Sequence, residues 1–208
     1  MKLKKLLAIF AIVPLLSTFY AETSLSALKK DPNDKIVVTS SAFKKNGMIP
    51  DKYTYENTYC GHGISIPLDW QVDEETAKNI QSYAITMVDK NPSARSFVHL
   101  MVTNIPADTR SVVDGALSGS SNNAPHGTYY FSNSSKRPGY DGPNPPRGKR
   151  AHVYEITIYG LNTPTIGISP LDNIKLKDFK KALVGKVVAF GKLRGKYKMI
   201  KRIVLDAC

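Results

Sequence analysis

Twenty residues, Gly142 to Leu161, most constrain how this chain can fold. They read GPNPPRGKRAHVYEITIYGL. Pro143, Pro145 and Pro146 lack backbone donors and push their predecessors into extended geometry, so the first part is a loop and cannot be a helix. From Ala151 onward β-branched and aromatic residues dominate, which predicts a strand through Leu161. Its period of two sets His152, Tyr154, Ile156 and Ile158 on one face, with Val153, Glu155, Thr157 and Tyr159 on the other. A stiff loop thus feeds a strand that presents an imidazole and a phenol side by side, a sound basis for a concave polar site.

At 208 residues, 42% apolar and 22% charged, the chain suits one soluble domain with a real core. The start reads separately. Lys2, Lys4 and Lys5 precede an eleven-residue run, Leu6 to Leu16, broken only by Pro14, and Ala21 closes a short neutral segment. This is the layout of a secretory signal peptide over residues 1–21, too short to span a bilayer, which takes about 20 apolar residues. An uncleaved anchor is the alternative. Phe19 is bulky where cleavage favours a small residue, and no cysteine near the run offers a lipid attachment point. Residues 22–35 then read as a polar arm, 36–198 as the folded domain and 199–208 as a basic tail. The expected location is periplasmic or extracellular.

The formal charge is +12, and loss of three lysines with the leader leaves +9. Such an excess fits anionic partners, phospholipid surfaces included, or simply solubility. Basic residues concentrate in Lys175 to Lys186 and Lys192 to Arg202, with few aromatics arranged to stack bases, so nucleic acid is not expected. Cys60 and Cys208 are the only cysteines. One long-range disulfide, two free thiols and pairing between chains all remain open.

Along the chain, Ile36 to Ser41, Ile64 to Trp70, Ser82 to Val88 and Ser96 to Asn104 read as β-rich. The lone Trp70 reads as core or pocket wall. Asp73 to Ile80 predicts a short helical turn. Ser82 to Val88 puts Tyr83, Ile85 and Met87 on one face and delivers Asp89 at its end. In Phe97 to Asn104 alternation sets Phe97, His99 and Met101 on one face and Val98, Leu100 and Val102 on the other. Both faces are apolar, so this strand is central and His99 is buried. Val113 to Lys149 is a long Gly/Ser/Asn/Pro-rich connection that Tyr129, Tyr130, Phe131 and Tyr140 hold against the domain. Leu176 to Leu183 predicts a helix stopped by Gly185, and Val187 to Leu193 predicts a second one. No repeat, P-loop, GxGxxG, CxxC or HExxH is present, and nothing calls for a cofactor.

Several pieces in order resemble the phosphatidylethanolamine-binding, or Raf-kinase-inhibitor-like, family in its bacterial form. They are Phe43 with Ile49-Pro50, Pro67-Leu68-Asp69-Trp70, the Asp89 turn, His99 leading into Asn104-Ile105-Pro106-Ala107, and Gly139-Tyr140-Asp141-Gly142-Pro143 with Pro145-Pro146-Arg147-Gly148. His152-Val153-Tyr154 and Leu193-Arg194-Gly195-Lys196-Tyr197 complete the set. The resemblance implies a mainly β, antiparallel β-sandwich with a few peripheral and C-terminal helices. It also implies a small pocket for phosphate-type anions and phospholipid head groups, made by Asp89, His99, Pro145, Pro146, His152 and Tyr154. The chain departs from the family pattern at its DKNPS turn, where Asn91 stands in for an acid, at Leu100 in place of tryptophan, and at Val153 in place of arginine.

The residues themselves are compatible with an anion site. Protonated imidazoles donate, Tyr154 carries a hydroxyl, and loop N–H groups can form a nest. Asp89 can orient a histidine and favour its charged form, or contact an ammonium group. The expected function is therefore an exported, non-catalytic binding protein, with peripheral membrane contact and a protein partner as further possibilities. Two alternatives stand beside it: a metal-dependent enzyme ligated by Asp89, His99 and His152, and a protein inhibitor of a hydrolase or kinase. His62 and His126 read as surface residues.

Overall fold

The computed structural model describes residues 31–199 except 57, 59, 120, 149 and 170–172. The expected signal peptide, most of the expected polar arm, nearly all of the expected basic tail and Cys208 lie outside the described residues.

Five strands make the larger sheet. β3 (Ser82–Asp89) lies at its centre between β4 (Val98–Pro106) and β7 (His152–Leu161), with the two-residue β6 (Tyr129–Tyr130) and the long β8 (Val187–Tyr197) outside them. All neighbours are antiparallel. β1 (Val37–Thr39), β2 (Leu68–Gln71) and β5 (Ser111–Val112) form a second antiparallel sheet. Every residue of β3 is buried, as befits a strand covered on both faces.

One face meets the small sheet. Val38, Leu68 and Trp70 share a core there with Tyr83, Ile85, Met87, Leu100, Val102, Ile156, Ile158 and Leu193. The Trp70 and Tyr83 rings meet edge to face, 5.4 Å between centroids. The opposite face is covered by helix α2 (Leu176–Leu183) and by Phe131 and Ile166, which pack on Ala84, Val98, Met101 and Leu161. Phe179 anchors α2 against Phe131 at 5.5 Å, and burying such a ring is worth roughly 1.5–3 kcal/mol. The short helix α1 (Glu74–Ala77) is capped by Asp73, whose carboxylate accepts from Thr76 N–H at 2.8 Å.

The expected sandwich and the helix at Leu176 to Leu183 are present. The helix expected over Val187 to Leu193 is not: that stretch is the first part of β8. Ala189 and Leu193 have helical spacing, but Val187, Val188 and Gly191 disfavour a helix. From Ala189 to Tyr197 buried residues alternate with Phe190, Lys192, Arg194 and Lys196 on the other side. Gly191 and Gly195 are there because a Cβ would collide with the Ile36 backbone at the first and with Phe43 and Ile49 at the second.

The expected faces of β4 also need correction. Met87 pairs with Leu100 but Val88 pairs with Val98, so His99 is the extra residue of a bulge. Val98 therefore shares the α2 side with Met101. His99 turns to the other side and meets the Tyr154 ring edge to face at 5.2 Å.

Candidate functional site

A cavity of about 530 Å³ opens where the ends of β3, β4 and β7 meet the diproline loop. Asp89, His99, Pro145, Pro146, His152 and Tyr154 all line it. Antiparallel register explains part of this convergence: Asp89 at the end of β3 lies opposite Tyr154 on β7, two residues from His152. The bulge adds His99.

The turn after Asp89 is held by its own side chains. Asp89 Oδ1 accepts from Asn91 N–H at 2.8 Å, and Asn91 Oδ1 accepts from Ser93 N–H at 3.0 Å and Ser93 O–H at 2.8 Å. Asn91 thus caps the 3₁₀ turn over Pro92–Ala94, so the unusual DKNPS sequence still makes an ordered turn. Arg95 and Ser96 leave it in left-handed conformation, at φ 49° and 60°.

Asp89 Oδ2 is 2.7 Å from His152 Nδ1. The carboxylate can only accept, so Nδ1 carries a proton and Nε2 is left for the cavity. His99 Nδ1 sits 2.6 Å from the Asp141 carbonyl and must donate to it. Burial pushes the His99 imidazole below its usual range, against the pull of Asp141. His99 is therefore neutral and its Nε2 is an acceptor, which amends the expectation that both imidazoles donate.

Tyr154 departs from expectation in a second way. Its ring lines the cavity, but its hydroxyl is buried and has no hydrogen-bond partner among the described residues. Burial first, then the nearby Asp89 charge, drives its pKa far upward, so the phenol stays protonated. The hydroxyl lies behind the wall rather than on it.

Asp141, within the Gly139 to Pro143 stretch, organises the loop. Its N–H donates to the His99 carbonyl at 2.8 Å while its own carbonyl takes the His99 ring proton. Its carboxylate accepts from Arg137 at 2.9 Å and from Ser135. Tyr140 O–H reaches the Tyr53 carbonyl at 2.7 Å, and Tyr55 N–H donates to Pro143 at 3.2 Å. Gly142 is required because a Cβ would strike the Thr54–Tyr55 backbone. A carboxylate-glycine pair before a proline-rich loop was the signal available in sequence. Tyr55, Phe97 and Asn144 are further lining residues that sequence reasoning did not single out. His62 and His126 are exposed.

Among the described residues, no three His, Cys, Asp or Glu side chains are placed as a metal-ligand group. Asp89, His99 and His152 share a cavity, but Asp89 holds His152 and a backbone carbonyl holds His99. Nothing in this geometry favours the metal-dependent reading.

A two-sheet antiparallel sandwich with a histidine-bearing cavity at its strand ends defines a class of protein, and the comparisons with known proteins agree. The family model for phosphatidylethanolamine-binding proteins matches residues 39–198, and the chain belongs to that family. UPF0098 protein PH1269 of Pyrococcus horikoshii is 34% identical over 158 residues, covering 76% of this chain and 74% of the relative. A UPF0098 protein of Aquifex aeolicus is 29% identical over 163 residues, covering 77% and 87%. The crystal structure of Escherichia coli YbcL, described as a new member of the mammalian PEBP family, superposes with a TM-score of 0.70. It is 24% identical, with 80% of this chain and 99% of that one covered. That likeness speaks for the fold.

Proposed function

We propose that this chain is an exported, non-catalytic binding protein whose histidine-lined cavity takes a phosphate-type anion or a phospholipid head group. The observation that carries this reading is the pairing of Asp89 with His152 at 2.7 Å on the wall of a 530 Å³ cavity. The carboxylate accepts from Nδ1–H and fixes the imidazole's orientation, which leaves Nε2 as the ring's point of contact with an anionic ligand. Neutral His99 offers the complementary acceptor. A ligand that carries both negative oxygen and a proton to give, such as hydrogen phosphate or the ammonium-bearing phosphoethanolamine, satisfies both rings at once. Asn144 adds an amide at the rim. Pro145 and Pro146 add rigid wall at little cost in ordering.

What supports the non-catalytic reading is that, among the described residues, neither histidine hydrogen-bonds a serine, threonine or cysteine nucleophile. A charge-assisted hydrogen bond is worth roughly 1.5–3 kcal/mol, so losing His152 weakens binding at least tenfold. Calorimetry with inorganic phosphate and with phosphoethanolamine tests this. Wild-type protein should bind, and His152→Ala should lose the heat while keeping its thermal unfolding transition. Unchanged binding by the variant would overturn the assignment.

A further inference from the structure

On the other side of the loops that wall the histidine cavity lies a second groove of about 620 Å³. The two spaces share their partitions. Ser93, Ala94 and Phe97 face the histidine cavity, whereas Arg95, Ser96 and Val98 face the groove. The left-handed pair Arg95 and Ser96 is where the chain crosses from one to the other. A second partition runs through Ser132 to Lys136, from which Ser135 faces the cavity and Lys136 the groove. Lys136 is also left-handed, at φ 61°.

The groove is of a different chemical kind. Among the described residues five cations line it: Arg95 and Lys136 from the partitions, Lys175 just before α2, and Lys177 and Lys180 on it. None of the described residues that line it is acidic. Among the described residues none of the five is in an ion pair, although Lys52, Lys78, Lys90, Arg137 and Arg194 all are. The α2 acid beside them, Asp178, accepts from the Lys175 backbone N–H at 3.3 Å. Between the charged walls the lining is apolar: Val98 and Met101 below, Ile174 and Leu176 along the helix side. Uncompensated charge gathered from three segments onto one concavity is a standing electrostatic cost that an anion relieves. The apolar strip asks for something other than a purely ionic guest, and among the described residues no aromatic lines the groove to give the stacking platform that single-stranded nucleic acid uses.

We infer that this groove is a second ligand site, specific for an anionic phospholipid whose phosphate sits among the five cations and whose acyl chain lies along the apolar strip. It does not rest on the reading of the histidine cavity, since no side chain lines both. It gives the protein a way to hold an anionic membrane with one side of the 93–98 loop while the other side walls the head-group cavity.

Flotation with vesicles tests it, using the purified protein with phosphatidylglycerol vesicles and, in parallel, phosphatidylcholine vesicles. Wild-type protein should float with the first and not the second. Lys177→Glu with Lys180→Glu should cut that binding about tenfold or more, since each lysine near an anionic surface contributes substantially. These positions are exposed and glutamate is a good helix former. Lys44→Glu with Lys45→Glu, the same change in net charge at exposed positions outside the groove, should cost less than twofold. Equal losses in both pairs would reduce the effect to net charge and overturn the proposal. So would failure to float, or protein that binds soluble polyphosphate through the groove but not vesicles. His152→Ala, which tests the histidine cavity, should float like wild type, so the two readings fail separately.

Discussion

The two spaces flanking the 93–98 loop are of similar size and opposite design. The histidine cavity carries two carboxylates, Asp89 and Asp141, each buried and each satisfied by the protein: Asp89 by His152 and the Asn91 N–H, Asp141 by Arg137 and Ser135. Among the described residues the groove carries five cations and no acid, and none of those cations is in an ion pair. The first is pre-organised by hydrogen bonds, so what it offers a ligand is direction. The second offers field. Short-range recognition of the first kind is nearly indifferent to salt, whereas attraction to exposed charge falls off as the screening length shrinks from about 10 Å at 0.1 M to 3 Å at 1 M. Raising salt should therefore strip vesicle binding while leaving phosphoethanolamine binding largely in place, and equal salt sensitivity in the two assays would erase the distinction.

The largest effect on the comparison should come from Gly142→Ala. A Cβ there runs into the Thr54–Tyr55 backbone, which cannot swing aside as a flexible side chain could. Overpacking of this kind costs about 3 kcal/mol, and it shifts the loop that carries Asp141 and the diproline. Urea unfolding should show the loss, and phosphate binding should fall with it. The groove contains no residue of that loop, so vesicle binding by the folded fraction should persist.

Next in size is the acid response of His99. Its folded-state pKa is depressed by burial, so the unfolded chain binds more protons than the native one as pH falls below the usual imidazole value of 6.5. Stability is then complete above that value and lost below it, at up to about 1.4 kcal/mol per pH unit. His99→Asn keeps an N–H for the Asp141 carbonyl but cannot titrate. Its stability should fall less steeply than wild type below pH 6.5, measured by urea midpoints. Parallel curves would show that His99 is not held neutral.

The sequence was legible where periodicity was unbroken. β7 carries His152, Tyr154, Ile156 and Ile158 on one face as expected, because nothing interrupts its alternation. It was illegible where a single residue changes the phase. The bulge at His99 cannot be read from Phe97 to Asn104, since both faces of that strand are apolar and give no register mark. β8 was misread because Ala189 and Leu193 satisfy two periods at once, and only the alternating Lys192, Arg194 and Lys196 distinguish them. The resemblance collected the cavity residues, but the acceptor role of His99 and the sealed hydroxyl of Tyr154 depend on burial, which no spacing records. The groove was visible only as a local excess of lysine near Lys175, since Arg95 and Lys136 join it through tertiary structure alone.

The smallest effect is expected from Tyr154→Phe, and it tests whether the cavity wall has been read correctly. The hydroxyl is buried with no partner among the described residues, an arrangement that costs free energy in the folded state. Removing it takes away that desolvation cost and leaves the ring, which keeps its edge-to-face contact with His99. Stability should stay level or rise by up to about 1 kcal/mol. Phosphate affinity should change less than twofold, because the atom lies behind the surface that a ligand meets. A tenfold loss of affinity with unchanged stability would place the hydroxyl against the ligand instead, and would mean that the histidine cavity opens further on binding.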